Sequence, residues 1–113
     1  MSRPLLASKP MVDRKKNARR SAASRWHDAV FRAHGSRCFF CGGFATDAMH
    51  IVPRGQLGPI RRYACAEENG RPGCRACHDL QEQHQLRFPI ALRRMAVAAL
   101  NAIPNCPPLK EPV

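Results

Sequence analysis

Long apolar runs are missing from this 113-residue chain; none approaches the roughly 18 residues that a membrane-spanning helix needs. The N-terminal stretch MSRPLLASKPMVDRKK is broken by Pro4, Lys9 and Pro10, so it lacks the apolar centre of a secretory leader. Acidic residues are few, eight against nineteen lysines and arginines, which leaves a net charge of +11. The expectations are no membrane and a cytoplasmic protein whose surface suits a polyanion, most simply DNA. Apolar content is thin, and a small fold with little core needs a staple such as a metal or disulfides. Six cysteines offer one or the other. In a reducing compartment, clustered cysteines more often bind metal.

Length implies a single domain. Residues 1–20 carry seven basic side chains against Asp13 alone and show no periodicity, so they read as a disordered basic tail. The domain is expected over 21–104, with a Pro-rich, unstructured tail over 105–113. Residues 22–34 place Trp26, Ala29, Val30 and Ala33 at helical spacing, and Gly35 follows as a stop. ATDAMHIVPRG is β-permissive and QLGPI reads as a loop. RRYACAE reads as a second short strand, and ENGRPG as a turn-rich loop. A helix is expected over about 75–86. A second, over 89–103, would pack through Leu92, Met95, Ala96, Ala99, Leu100 and Ile103.

Two Cys-x-x-Cys pairs, Cys38/Cys41 and Cys74/Cys77, are separated by 32 residues. A tight turn points both thiolates of such a pair the same way, so two pairs supply the four corners of a tetrahedral zinc site. Closing the long gap through a metal converts binding energy into folding energy. Cys65 and Cys106 have no partner at ligand spacing and read as buried or incidental thiols. CRACH at 74–78 also has the form of a c-type haem attachment, but that chemistry normally needs export and leaves Cys38 and Cys41 unexplained.

The order Cys-x-x-Cys, HIVPRG, NGRPGCRACH, with His50, Asn69 and His78 in sequence, resembles the HNH endonucleases, ββα-metal nucleases of which some carry a zinc ribbon. The resemblance covers residues 38 to about 84. It implies a small zinc-stapled α+β fold, a ββα-metal core (38–86) with flanking N- and C-terminal helices. It implies hydrolysis, by nicking or cutting, of DNA phosphodiester bonds, leaving 5′-phosphate and 3′-hydroxyl ends. The roles it implies are His50 as general base, Asn69 as a brace that orients it, and His78 as ligand of a catalytic divalent cation. That cation, Mg²⁺ or a transition metal, would be distinct from the structural Zn²⁺. Small proteins of this kind are common among phage genes, which would place the chain in a host cytoplasm. A larger protein machine would then supply any sequence specificity.

The residues themselves fit that chemistry. An imidazole with an ordinary pKa near neutrality suits the base, and a histidine in a helical first turn suits a ligand. In much of the family an Asp or His directly precedes the base and binds metal; here Met49 stands there. Asp47, in the form Asp-x-x-His, and Glu82, four residues after His78 on one helix face, are the available replacements. Arg54, Arg61 and Arg62 are placed to clamp phosphate. His27, His34 and His84 read as surface or packing residues, Trp26 and Phe31 as core, and Phe39 and Phe40 as packing on the zinc turn. The alternative is a zinc-ribbon module that binds nucleic acid without turnover.

Overall fold

The computed structural model describes residues 14–62, 64 and 66–112. The expected disorder of residues 1–13 and the role of Cys65 lie outside the described residues. The elements run α1 (Arg14–His34), β1 (Asp47–His50), α2 (Gly58–Arg62), β2 (Gly70–Gly73), α3 (Arg75–Glu82) and α4 (Ile90–Asn101), with 3-10 turns at Arg54–Gln56 and Glu67–Asn69. This is a mixed fold of helices around a two-stranded antiparallel sheet, with a four-cysteine cluster at one end. Among the described residues, no helix is long and apolar enough to cross a membrane.

Helix α1 begins eight residues earlier than apolar periodicity implies and takes in residues 14–20, which were expected to be disordered. Its buried stripe is Ala22, Val30 and, half-buried between them, Trp26. Gly35 ends it as expected: at φ +84° its N–H caps Phe31 O at 2.9 Å.

None of the described residues of RRYACAE lies in a strand. Residues 58–62 of the chain form α2, and the partner of β1 is Gly-Arg-Pro-Gly, in the register Asp47↔Gly73 and His50↔Gly70. A proline between two glycines has little β-propensity, so packing selects this strand. A Cβ at Gly70 would come 2.7 Å from Trp26 Cζ2, and one at Gly73 would run into the Met49 thioether. Only glycine lets α1 and Met49 close onto the two ends of β2.

Met49 is fully buried. It joins Ile51, Val52, Leu57, Phe88, Ala96, Val97 and Leu100 in one apolar cluster between β1 and α4. Burial of such side chains contributes about 1.5–3 kcal/mol each. On α4 the buried face runs through Ala96, Val97 and Leu100; Met95, expected inside, is 45% exposed.

Helix α3 stops at Glu82, short of residue 86. His84 turns left-handed (φ +62°), and the N–H groups of Gln85 and Leu86 close back onto Leu80 O at 2.8 and 3.3 Å. The Pro-rich tail is docked, in contrast to its expected disorder. Leu109 packs on the core, and its N–H donates to Asn101 Oδ1 at 2.9 Å.

Candidate functional site

The four cysteines 38, 41, 74 and 77 bring their sulfurs within 4.8 Å of one another. The first knuckle is a turn closed by Gly42 N–H to Cys38 O (2.9 Å) and Cys38 N–H to Gly43 O (2.7 Å), with Gly42 at φ +77°. The second knuckle is the N-terminus of α3, where Cys74 is the N-cap and accepts from Cys77 N–H at 3.4 Å. Gly43 N–H likewise donates to Cys41 Sγ at 3.4 Å. These amide donors and the positive end of the α3 dipole face the sulfurs. Cys41 Sγ and Cys74 Sγ stand 3.8 Å apart, and a tetrahedron with Zn–S near 2.3 Å has an edge of about 3.8 Å.

The thiol electrostatics point the same way. Burial raises Cys38, but backbone donors at Cys41, Cys74 and Phe40 outweigh it and hold the thiol down at about 6. Cys77 is pushed up to about 12, first by its hydrogen bond to Cys74 and then by burial and the other sulfurs. Four sulfurs this close cannot all ionise without a cation among them; a divalent metal resolves the conflict. The cluster is therefore placed to hold one metal ion, as a structural zinc requires. Phe39 and Phe40 pack beside it on Phe88, at ring separations of 5.3 and 5.0 Å. Cys106 is outside the cluster, with its thiol on Pro104 O.

The knuckle at the start of α3 also delivers His78. Its Nδ1 lies 2.8 Å from Asp47 Oδ2, across from the first residue of β1. Asp47 further accepts from Thr46 Oγ1 (2.9 Å) and faces Arg75 Nε (3.4 Å). Its carboxyl is held below the usual carboxylate range, first by His78, then, against the opposing effect of burial, by Thr46 and Arg75. An ionised Asp47 can only accept, so Nδ1 of His78 carries the proton. On the other side of the ring, Nε2 faces Glu82 Oε2 at 3.6 Å. Asp47 and Glu82 thus sit on opposite nitrogens of one imidazole. Asp47 is the orienting partner behind the ring, and Glu82 shares its open side.

His50, at the end of β1, lines an open cleft of ≈ 470 Å³ together with Arg54, His78, Glu82, Gln81 and His84. Arg54 is exposed and makes no side-chain hydrogen bond among the described residues. Gln81 Nε2 donates to His50 O at 3.4 Å, tying α3 to β1. His50 does not have the near-neutral pKa expected of it. Burial pushes it down to about 4, with the charges of Arg54 and His78 adding to the effect. Its ring stacks on Trp26, centroids 4.0 Å apart and planes 10° from parallel. Trp26 was expected in the core; helical spacing alone could not show that its face meets His50.

Asn69 is 1% exposed and lies behind the strand ends. Its Oδ1 accepts from Val52 N–H at 2.6 Å and its Nδ2 donates to Val52 O at 3.2 Å, while Ile51 N–H donates to Asn69 O. Of the three arginines expected at phosphate, Arg61 is elsewhere engaged. It is 3% exposed, and its guanidinium donates to Leu100 O (3.0 Å), Asn101 Oδ1 (3.2 Å) and Pro107 O (2.6 Å). That burial removes it from a phosphate; Arg54 and Arg62 remain exposed. His27 faces Thr46 O at 3.4 Å and stacks on Phe31; His34 Nε2 lies 3.1 Å from Glu67 O and from Arg71.

No family model, curated protein or solved structure matches the chain.

Proposed function

We propose that the chain is a metal-dependent nuclease of the HNH type that hydrolyses DNA phosphodiester bonds. The observation that carries this reading is the approach of His78 Nε2 to Glu82 Oε2, at 3.6 Å, on the cleft that His50 also lines. Both atoms are of a kind that ligates a divalent cation, and a carboxylate behind Nδ1, here Asp47, is the usual partner of a metal-ligating histidine. His78 and Glu82 would hold the divalent cation, Mg²⁺ or a transition metal, with Asp47 as the supporting carboxylate. Such an ion, when bound, supplies electrostatic stabilisation of charge on the phosphoryl oxygens.

His50 is unprotonated at neutral pH and is free to accept a proton from water, though as a weaker base than free imidazole. The water oxygen forms the new P–O bond, the bond to the 3′ oxygen breaks, and that oxygen leaves with a proton from solvent. Arg54, exposed beside His50, and Arg62 would neutralise the flanking phosphates. The +11 charge supplies the sequence-independent part of DNA affinity. A larger protein partner would supply target choice.

Met49 favours a second reading, a zinc module that binds DNA without turnover. The position directly before His50 is committed to the core and contributes no ligand. Supercoiled plasmid separates the two. Nicking that needs Mg²⁺ or Mn²⁺, stops with EDTA and is lost in His50→Ala and Glu82→Ala supports the nuclease. Retarded but intact plasmid under every metal condition supports the module.

A further inference from the structure

We propose that Trp26 is the positioning residue for His50: its indole face sets the plane in which the imidazole meets the cleft. The inference rests on the reading of His50 as the general base. An imidazole that abstracts a proton must be held in plane, and this is ordinarily done by a hydrogen bond to its second nitrogen. Among the described residues the His50 ring has no such bond. Its neighbour is the Trp26 face, 4.0 Å away and 10° from parallel.

The indole is itself immobilised from three sides. It projects from α1, its Nε1–H donates to Ala66 O at 3.0 Å, and its Cζ2 edge lies over Gly70, the strand partner of His50. Rotating the imidazole about its Cβ–Cγ bond would break a flat contact that the indole cannot follow. The stack fixes the plane but leaves the choice of nitrogen open, so either tautomer can present its lone pair. Trp26 lines the adjoining cavity with His50, Arg54 and Arg62 but not the cleft where His50 meets His78 and Glu82, so at the cation its influence passes through His50.

The test compares Trp26→Leu and Trp26→Phe in the zinc-loaded full chain. The stack itself is read by NMR: the His50 ring protons are shifted upfield by the indole, the shift vanishes in Trp26→Leu, and part of it survives in Trp26→Phe. In plasmid nicking, Trp26→Leu lowers kcat by about 10- to 100-fold, the scale of a small misplacement of a reacting group. KM for DNA stays within about twofold, since uniform binding is untouched, and Trp26→Phe recovers most of the rate.

Full nicking by a Trp26→Leu chain that has lost the shift overturns the inference, as does a Trp26→Leu loss that appears in KM for DNA rather than in kcat. Should Trp26→Leu fail to load zinc, Trp26→Phe decides: loss of the His50 shift with unchanged kcat overturns the inference too. A wild-type chain with the shift intact and no metal-dependent nicking sinks the nuclease reading, and the inference with it.

Discussion

Asn69 holds Val52 by both of its backbone polar atoms, accepting from its N–H at 2.6 Å and donating to its C=O at 3.2 Å. This closed pair, buried two residues beyond His50, fixes the direction in which the chain leaves β1. It joins the first strand to the turn that opens the second.

Replacing Asn69 tests that brace. Asn69→Ala leaves a buried donor and a buried acceptor unpaired and is expected to cost about 2–4 kcal/mol. Asn69→Asp keeps one bond but sets a carboxylate oxygen against Val52 O, and is expected to be no milder. Urea unfolding of zinc-loaded protein measures both. A loss below about 1 kcal/mol in each would mean that Asn69 does not brace the strand end.

The cysteine cluster predicts one zinc per chain. Cys41→Ser or Cys74→Ser should lower zinc content and helical circular dichroism together, because the metal joins the first knuckle to the start of α3. Cys106→Ser should change neither. Zinc retained at one equivalent in Cys74→Ser would place the metal elsewhere.

His50 makes stability pH-dependent. Its folded pKa, about 4, lies below the ordinary histidine value of 6.5, so the unfolded chain binds more protons between those limits. The contribution is therefore fully present above pH 6.5 and is lost as pH falls towards 4, by about 3 kcal/mol in all. Zinc release also destabilises the fold in acid, so the measure is the difference between wild type and His50→Gln across pH 4–6.5. Parallel stability curves for the two would show that His50 titrates normally.

Arg61 and Arg62 are neighbours with opposite expectations. Arg61→Ala strands the carbonyls of Leu100 and Pro107 and should cost about 2–4 kcal/mol, with new protease cleavage in the Pro-rich tail. Arg62→Ala should leave stability alone and reduce the salt dependence of DNA binding by about one unit of slope. Reversed effects, with Arg61→Ala altering only DNA affinity, would return Arg61 to the phosphate side.

The cysteine knuckles, the Gly35 stop and the helix after Cys74 were legible because each is written in local spacing. The second strand was not. RRYACAE has the composition of a strand, yet Arg61 within it is claimed by α4 and the tail, contacts forty residues away in sequence. Gly-Arg-Pro-Gly pairs with β1 because α1 and Met49 tolerate only glycine at its ends, a tertiary demand that overrides propensity. The end of α3 was missed because a histidine, rather than a glycine, takes the left-handed position. In the site, His78 with Asp47 and Glu82 was legible from helical spacing and strand position. The division between them was not, since which nitrogen each carboxylate meets is a matter of three-dimensional approach.

The clasp of Arg61 on Pro107 spans forty-six residues. A ribosome delivers Pro107 long after Arg61, so the guanidinium waits in solvent, still a free cation, while most of the chain is already outside. The last helix and tail then arrive to claim it. Seating of the Arg61 guanidinium is thus expected to be a late step of biogenesis, and a clipped product lacking its acceptors would carry one more exposed positive charge than the finished molecule.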